Sequence, residues 1–366
     1  MFNFSITKDP KNTKIVVAMS GGVDSSVVAA KLHILGYNVI GVTLQLYDQG
    51  VVLARQKTCC AGQDIYDARN VANKFGFPHY VLDYENRFKE AVIEEFADSY
   101  MRGETPLPCV RCNQSVKFND LFKMAKDLGA DALVTGHYVK KLEGDYGAEL
   151  HKAIDTSKDQ SYFLFATTQE QLEFLHFPLG GMMKHQTREL AVELGLEIAD
   201  KQDSQDICFV PNGDYASIIK KIRPEAEKKG VVMHVDGFVL GKHDGIINCT
   251  IGQRKGLSIA YSTPLYVIKI DPAENIIYLG PESALYSNEF IVKDYNWLKK
   301  ESIPEEGMEV NIKIRSAHRG SVAKIYLLDE NYIRVTIPAG EKSVTPGQPC
   351  VFYEESRVLG GGWIVK

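Results

Sequence analysis

The sequence predicts an α/β protein, in which a parallel β-sheet covered by helices is followed by two small β-rich, barrel-like domains. Between residues 14 and 200, short apolar runs suited to buried strands alternate with helical segments, and such alternation specifies parallel strands with ligands at their carboxyl ends. Beyond residue 218 the pattern changes to short alternating runs separated by glycines, which is typical of small barrels. We therefore expect domains at residues 1–218, 219–284 and 285–366.

The positions of the individual elements follow from the same patterns. In the first domain, strands are expected at Ile15–Ala18, Asn38–Leu44, His79–Leu82 and Ala132–Thr135, and helices from Ser25, Gln63, Arg87 and Phe118 and over Thr187–Gly195. The polar segment Gly103–Lys117 has no period and predicts a long functional loop. In the β-rich part, strands are expected at Phe238–Leu240, Tyr266–Asp271, Ile276–Leu279, Val310–Arg315, Ser321–Leu327, Tyr332–Ile337 and Cys350–Tyr353.

Composition and charge restrict the class of protein. With 45% hydrophobic and 24% charged residues, the chain has the composition of a globular protein. The net charge of −5 argues against a protein that coats nucleic acid indiscriminately, so any RNA partner requires a local basic surface. Because no apolar run approaches bilayer length, we expect a cytoplasmic protein with no membrane partner. Seven cysteines without a secretion signal indicate thiols with a chemical role.

The first strand runs directly into a glycine pair, Gly21 and Gly22, and then into a helix. Glycines let a backbone approach a ligand closely, and the unpaired N–H groups of a helix N-terminus favour an anion. Ser20, Asp24 and Ser25 add hydroxyls and a carboxylate to the same turn. The spacing matches neither the Gly-Lys-Ser/Thr P-loop nor the three-glycine dinucleotide motif. We expect this turn to bind a phosphate group.

The cysteines suggest nucleophilic or sulfur-carrying chemistry. Cys109 and Cys112 flank Arg111, and a neighbouring cation favours the thiolate that such chemistry requires. The same C-x-x-C pair could be half of a zinc site completed by Cys59–Cys60, although adjacent cysteines make poor tetrahedral ligands. Two further cysteines lie in strand-like surroundings and are expected to be small core residues: Cys249 and Cys350.

The Ser20–Ser25 turn after a buried strand resembles the PP-loop of ATP pyrophosphatases, which have an adenine nucleotide alpha hydrolase-like fold. Further motifs occur in the order seen in tRNA-specific 2-thiouridylases, and the similarity spans nearly the whole chain. These motifs are Thr58–Cys60, Pro108–Asn113, Lys117–Phe118, Thr135–Tyr138, Lys158–Phe163, Phe177–Gly180, Asp203–Phe209, Thr250–Leu257 and Gly360–Ile364. The resemblance implies a PP-loop domain followed by two β-rich domains.

The resemblance also implies an activity, that of an ATP-dependent tRNA sulfurtransferase. In this family ATP adenylates the C2 oxygen of the wobble uridine, pyrophosphate leaves in the PP-loop, and persulfide sulfur displaces AMP to give 2-thiouridine. Cys112 corresponds to the nucleophile and Cys208 to the persulfide carrier, and the two close a disulfide as the reaction completes. The implied partners are tRNAs of the Lys, Glu and Gln acceptor types and an upstream sulfur donor such as a cysteine desulfurase or a sulfur-relay protein.

The family's binding residues transfer to matching positions in this chain. The implied ATP contacts are Ala18, Met19, Ser20, Gly21, Gly22, Val23, Asp24, Ser25, Leu44 and Gly136. The implied tRNA contacts are His137, Lys158, Asp159, Gln160, Arg315, Ser316 and Gln348. Two alternatives stay open: Asp24 holds Mg²⁺ or orders the loop serines, and His137 contacts tRNA or is a satisfied histidine at a strand end. No residues are assigned to a metal bound by the protein alone.

One position departs from the family pattern, because Cys109 stands where many relatives have an aspartate that contacts the target base. This thiol raises the possibility of an iron–sulfur cluster held by Cys109, Cys112 and Cys208, which ranks below persulfide chemistry because it would occupy the same thiols. Two rival functions remain. A PP-loop amidating ligase would need neither Cys112 nor Cys208, and a non-catalytic tRNA-binding protein would merely retain ATP.

Overall fold

The computed structural model describes residues 2–4, 6–47, 60–203, 207–210 and 213–365. The chain forms two compact units that are interleaved in sequence. Unit 1 comprises Met1–Ala91, Val110–Gln205 and Ser356–Val358, and unit 2 comprises Val92–Cys109, Asp206–Glu355 and Leu359–Lys366. Within the described residues, no helix combines the length and the apolar character needed to cross a bilayer.

Unit 1 is built on a five-stranded parallel sheet with the strand order β3-β2-β1-β4-β7. Its strands are β1 (Lys14–Ala18), β2 (Asn38–Gln45), β3 (His79–Asp83), β4 (Ala132–Thr135) and β7 (Leu175–His176). The central strand is fully buried, since Ile15, Val16 and Val17 each have 0% exposure. The parallel sheet and its first four strands are therefore confirmed, whereas the two-residue β7 was too short to predict.

Helices accompany these strands along the chain. They are α1 (Val23–Ile34), α2 (Cys60–Phe75), α3 (Glu85–Phe88), α4 (Glu95–Met101), α5 (Pro108–Arg111), α6 (Leu121–Asp127), α7 (Gln169–Phe174) and α8 (Lys184–Glu193). Two π-helical stretches, Lys89–Glu94 and Cys112–Asp120, lie between α3 and α4 and between α5 and α6. The helices expected from the sequence are confirmed, with starts that differ by several residues.

The prediction of a long loop over Gly103–Lys117 is wrong in its second half. The chain becomes helical at Pro108 and remains helical to Asp127. Proline is well suited to a first helical position, because its missing N–H needs no partner there. Val110 and Val116 are fully buried, so the segment has an apolar face. Its apolar residues do not recur every 3.6 residues, and the sequence pattern therefore did not indicate a helix.

Unit 1 also contains a β-hairpin that the sequence pattern did not reveal. β5 (Val139–Gly144) and β6 (Gly147–Lys152) pair antiparallel, and the turn between them joins Gly144 to Gly147. His151 of β6 also pairs antiparallel with Arg357. The hairpin follows the end of β4 directly, so the residues after Thr135 leave the parallel sheet by way of an antiparallel ribbon.

Unit 2 contains a four-stranded sheet with the order β10-β11-β8-β9. Its strands are β8 (Gly230–His234), β9 (Val239–His243), β10 (Tyr266–Asp271) and β11 (Ile276–Gly280). β11 pairs parallel to β8, and the other neighbours are antiparallel. The helix α9 (Tyr215–Ile222) precedes this sheet, and the Asp214 side chain caps its N-terminus by accepting a hydrogen bond from the Ser217 amide.

The rest of unit 2 is a closed six-stranded barrel with the order β12-β15-β14-β13-β16-β17, completed by pairing between β12 and β17. Its strands are β12 (Tyr286–Trp297), β13 (Met308–Lys313), β14 (Ser321–Leu327), β15 (Tyr332–Lys342), β16 (Pro349–Glu354) and β17 (Arg357–Val365). The predicted fold class is confirmed. Cys350 lies in β16 and is fully buried, but Cys249 follows a short 3₁₀ turn and is half-buried, so its expected strand setting is wrong.

Candidate functional site

The Ser20–Ser25 turn lies where β1 ends and α1 begins, at the carboxyl edge of the sheet. The Ser20 amide donates to the Ser25 Oγ at 3.1 Å, and the two serine hydroxyl oxygens are 3.3 Å apart. Gly22 is the N-cap residue of α1 and has no side chain with which to bond the first amides of the helix. A positive helix N-terminus beside two serine hydroxyls is favourable for an anion, as the sequence predicted.

Two glycines, one in this turn and one after β4, are in close contact with neighbouring backbone. Gly21 has a φ of +74°, and a Cβ there would lie 2.1 Å from the Asp64 carbonyl oxygen. Gly136 follows β4, and a Cβ there would lie 2.8 Å from the Ser25 amide nitrogen. β4 pairs with β1 in parallel, with Thr135 opposite Ala18, so the two strand ends meet as the sequence predicted. At both glycines the position that a Cβ would take is already filled by protein backbone, so the missing side chains let these backbone segments pack closely together. Contact of these residues with ATP stays a prediction.

Asp24 is held by an ion pair inside unit 1. Lys184, at the start of α8, donates to both Asp24 carboxylate oxygens at 2.8 and 2.7 Å, and the Tyr138 hydroxyl lies 2.9 Å from Oδ1. Lys184 itself is only 9% exposed. The carboxylate does not bond the loop serines, and among the described residues no group of His, Cys, Asp and Glu side chains is arranged to hold a metal ion. In this structure Asp24 is paired with Lys184, and a role of Asp24 towards Mg²⁺ stays a prediction.

Lys184 also joins Asp24 to Asp203. Its ammonium lies 2.8 Å from Asp203 Oδ1, while Lys158 contacts Oδ2 at 2.7 Å and Arg188 contacts Oδ1 at 3.1 Å. Burial alone would raise the pKa of Asp203, but hydrogen bonds from Lys158 and Lys184 lower it to about 2. Three cations thus hold the Asp203 carboxylate in place. Through Lys184, ion pairs connect Asp24 in the Ser20–Ser25 turn with Asp203.

A second lysine supports the turn from the other side. Lys201 donates to the Gly21 carbonyl at 2.9 Å and to Asp64 and Asp67 at 2.6 and 2.5 Å. Asp64 and Asp67 lie on α2, so the lysine ties this helix to the backbone of the glycine pair. Burial acts to lower the pKa of Lys201, but the hydrogen bonds that its ammonium donates to Asp64 and Asp67 outweigh burial and raise it. The ammonium therefore stays charged and holds Gly21 in place.

The Cys112 thiol is buried, with 7% exposure, at the start of the π-helical segment. Burial raises its pKa, and the ammonium of Lys117 acts in the opposite direction. For Cys112 the pKa is thus raised rather than lowered, and the charge that acts against burial is that of Lys117 rather than that of Arg111. Lys117, one helical turn later, is the cation that acts on Cys112.

Lys117 also acts on His137. Burial and the Lys117 charge lower the pKa of His137 to about 3, so the imidazole is neutral at physiological pH. Its Nδ1 lies 2.8 Å from the Thr135 hydroxyl, and Phe118 packs edge-on at a centroid distance of 5.8 Å. The ring thus has intramolecular partners, as expected of a histidine at a strand end.

Cys208 belongs to unit 2 and is exposed. The backbone turns at this point, since the Val210 amide donates to the Ile207 carbonyl at 2.9 Å. The next side chain, Phe209, is buried and packs perpendicular to Phe96 at 5.3 Å between ring centroids. The buried Phe209 anchors the turn and leaves the neighbouring thiol facing solvent, which suits a sulfur carrier that must be loaded by another molecule. Residues 204–206, from the same motif, lie outside the described residues, as do Thr58 and Cys59.

The residues expected to contact tRNA fall in both units. In unit 1, Lys158 pairs with Asp203, Asp159 accepts from the Ala153 and Ser161 amides, and Gln160 accepts from the Tyr138 amide. In unit 2, Arg315 donates to the Lys342 carbonyl at 3.2 Å, and Gln348 donates to the Thr105 carbonyl at 2.7 Å. These contacts give each side chain a structural partner. A role of these residues in tRNA binding stays a prediction, as does that of the exposed Ser316.

Three family models cover almost the whole chain. A tRNA methyl transferase HUP domain matches residues 13–212, a tRNA methyl transferase PRC-barrel domain matches residues 216–281, and an aminomethyltransferase beta-barrel domain matches residues 287–364. The tRNA-specific 2-thiouridylase MnmA of Rickettsia conorii is 62% identical over 97% of this chain and 96% of its own length. The chain belongs to the tRNA-specific 2-thiouridylase family. The enzyme of the same name from Rickettsia felis is 63% identical over 97% of this chain and 98% of its own.

Family membership confirms the resemblance noted in the sequence and the enzyme class that it implied. A solved 4-thiouridine synthetase–RNA complex with bound ATP aligns over 58% of this chain and 50% of its own, at 18% identity and a TM-score of 0.34. The assignment to the 2-thiouridylase family depends on the curated relatives alone. The assignment of individual residues to ATP and tRNA stays a prediction.

Sequence reasoning missed the cations that support the Ser20–Ser25 turn. Lys184 follows its partner Asp24 by 160 residues, and Lys201 follows its partners Asp64 and Asp67 by 137 and 134 residues. No local period links a lysine to a carboxylate at such a distance. Only the position of Lys184 could have pointed to such a contact, because this lysine is the first residue of a helix that follows an apolar, glycine-containing turn. Lys117 was recognised only as part of a motif, without its action on Cys112.

Proposed function

We propose that this chain is an ATP-dependent tRNA sulfurtransferase that converts the wobble uridine of tRNA to 2-thiouridine. The observation that carries the proposal is 62% identity to a tRNA-specific 2-thiouridylase over 97% of the chain. The anion-binding turn between β1 and α1 supports the ATP-dependent part of the reaction, and the exposed Cys208 supports the sulfur-carrying part.

The first step activates a poor leaving group. The C2 oxygen of the uridine attacks the α-phosphorus of ATP, the bond from that phosphorus to the β-phosphate oxygen breaks, and pyrophosphate leaves. The amides at the start of α1 and the hydroxyls of Ser20 and Ser25 would stabilise the charge that develops on the departing pyrophosphate. Lys201 holds the Gly21 carbonyl and so keeps the turn in its binding conformation.

The second step transfers sulfur. The terminal sulfur of a Cys208 persulfide attacks C2, the C2–oxygen bond breaks, and AMP leaves. The Cys112 thiolate then attacks the Cys208 Sγ, so that the sulfur–sulfur bond breaks, 2-thiouridine is released and a Cys112–Cys208 disulfide forms. An external thiol must reduce this disulfide before the next cycle. Because burial raises the pKa of Cys112, its thiolate depends on the Lys117 charge and on a change in its surroundings when tRNA binds.

The test incubates the full-length protein with ATP, Mg²⁺, a persulfide donor and unmodified tRNA, and measures 2-thiouridine by mass spectrometry of the digested RNA. We expect Cys208→Ser to abolish product while leaving tRNA-dependent pyrophosphate release intact, because the exposed thiol acts only after adenylation. Cys249→Ala is the matched control, since this half-buried cysteine lies outside the proposed chemistry. The absence of product with the unaltered protein, or undiminished product with Cys208→Ser, would contradict the proposal.

A further inference from the structure

Asn113 follows the proposed nucleophile Cys112 in the chain, yet the reaction described above assigns it no role. Both residues lie at the start of the π-helical segment Cys112–Asp120. Both side chains are buried, with 5% exposure for Asn113 and 7% for Cys112. π-Helical turns next to α-helices are frequent at functional sites. The hydrogen bonds of so deeply buried an amide therefore bear on its role.

The nitrogen of the Asn113 side chain is paired. Its Nδ2 donates to the Phe163 carbonyl at 3.3 Å. That carbonyl belongs to the 3₁₀ turn Ser161–Phe163, which Asp159 fixes by accepting from the Ser161 amide and hydroxyl at 3.2 and 2.7 Å. Because a carbonyl oxygen can only accept, the amide nitrogen must face Phe163 and the amide oxygen must lie on the other side.

The oxygen of the same side chain is unpaired. Asn113 Oδ1 is buried, and none of the residues that the structure describes donates a hydrogen bond to it. A buried acceptor without a donor destabilises the folded protein, and the large majority of buried polar side-chain atoms have a partner. An unpaired acceptor that directly follows a proposed reactive cysteine indicates a ligand that brings the missing donor.

We propose that Asn113 Oδ1 accepts a hydrogen bond from the N3–H group of the target uridine, and that Asn113 thereby selects uridine over cytidine. The inference rests on the proposed function, because that function brings the uridine C2 to the sulfur chemistry of Cys112, and N3 is bonded directly to C2. Cys112 and Asn113 are buried to a similar degree, so the opening that admits the base to the thiol must also uncover the amide.

The two pyrimidines differ at the position that Asn113 would read. Uracil carries a hydrogen-bond donor at N3, whereas cytosine carries a lone pair there. An amide oxygen pairs with the first and repels the second, and such a repulsive contact is an effective source of specificity. The Phe163 carbonyl matters as well, because it keeps the Asn113 amide from rotating to offer Nδ2 to cytosine.

The test compares tRNA-dependent pyrophosphate release by the full-length protein on unmodified tRNA transcripts with uridine or cytidine at the wobble position. Asn113→Leu removes the acceptor but keeps a side chain of similar size. We expect it to lower kcat/KM for the uridine transcript by about 10-fold or more, without lowering that for the cytidine transcript. Asn113→Asp keeps an acceptor oxygen, and its protonated form can donate to the Phe163 carbonyl, so it should retain more of the preference for uridine.

Gln114→Leu is the matched control, because it alters the next amide along the segment, whose Oε1 already accepts from Arg111 at 3.2 Å. It should keep the preference for uridine. Thermal melts show whether each variant is folded. A second measurement needs no variant, since a transcript with 3-methyluridine at the wobble position lacks the N3–H donor. The unaltered protein should release pyrophosphate with this transcript about 10-fold more slowly, or slower still.

Three results would overturn the role of Asn113. The first is an unchanged preference for uridine in folded Asn113→Leu. The second is an equal loss of activity with both transcripts, which would give Asn113 a structural role only. The third is an equal rate with uridine and 3-methyluridine in the unaltered protein. The proposed function fails separately, if the unaltered protein makes no 2-thiouridine in the uridine transcript.

Discussion

Gly21 shows how one residue fixes the geometry of the Ser20–Ser25 turn. Its φ of +74° is unfavourable for any residue with a Cβ, and the added atom would collide with the Asp64 carbonyl oxygen. Gly22 differs, because its φ is −86° and a Cβ there would meet only the Ser20 Oγ at 3.4 Å, an ordinary contact. The structure therefore requires a glycine at position 21 but has room for a Cβ at position 22. A sequence pattern cannot distinguish these two cases.

We expect Gly21→Ala to lower the free energy of unfolding by roughly 2 kcal/mol or more and to abolish ATP binding, since both strain and a backbone clash result. Gly22→Ala should change stability by less than about 1 kcal/mol, because its backbone conformation is open to alanine. Urea denaturation and calorimetric titration with ATP measure the two quantities. Equal effects of the two substitutions would show that the collision at Gly21 does not matter.

The two proposed sulfur-handling cysteines should differ in their reactivity towards alkylating agents. Cys208 is exposed, whereas Cys112 is buried and its pKa is raised. Because the thiolate is the reacting form, iodoacetamide at pH 8 should modify Cys208 first, and Cys112 should react only at higher pH or after denaturation. Peptide mass spectrometry over a series of pH values measures both rates. Faster modification of Cys112 would mean that its buried position does not persist in solution.

Ion pairs and hydrogen bonds join elements of unit 1 that are far apart in the sequence. Lys184 on α8 links Asp24 on α1 with Asp203, and Arg188 on the same helix donates to the carbonyls of Ala199 and Lys201 as well as to Asp203. The segment that leads to the Cys208 motif is therefore fastened to α8. Asp203 is itself the first residue of the Asp203–Phe209 motif.

The stability that Asp203 contributes should depend on pH. Its pKa is lowered from 3.8 to about 2, so its contribution is fully present above pH 3.8 and is lost as the pH falls towards 2. The difference in unfolding free energy between the unaltered protein and Asp203→Asn should thus be larger at pH 6 than at pH 3. Asp200→Asn, at an exposed position, is the control for the loss of a surface carboxylate. Urea denaturation at both pH values measures the difference, and a pH-independent effect of Asp203→Asn would contradict the assignment.

The sequence was sufficient for elements defined by local pattern. β1 and β4 were predicted because buried parallel strands have continuous apolar runs, and their adjacency placed Gly136 beside the phosphate-binding turn. The helix from Pro108 was missed because π-helical geometry does not produce a period of 3.6. β12 and β17 were missed because they are defined by pairing with each other across 60 or more residues of chain. The ion pairs of Lys184 and Lys201 depend on tertiary contacts in the same way.

At the scale of the molecule, the two units cannot be separated by a single cut of the chain. Unit 1 takes in three separate segments, and the last of them, Ser356–Val358, lies between parts of unit 2. The three domains expected from sequence assumed that each domain is continuous, since changes in composition reveal only boundaries along the chain. Whether the two units unfold together or separately must therefore be measured, because changes in composition along the sequence do not reveal it.

Both tryptophans, Trp297 on β12 and Trp363 on β17, lie in unit 2, whereas the phosphate-binding turn lies in unit 1. Because the chain passes repeatedly between the units, we expect them to unfold together. ATP at about 100 times its Kd should then stabilise the protein by about 2.7 kcal/mol and raise the midpoint reported by tryptophan fluorescence along with that reported by circular dichroism. Gly21→Ala is the control, since it should remove the shift in both signals. A rise in the circular dichroism midpoint with an unchanged fluorescence midpoint would show instead that the barrel melts independently of unit 1.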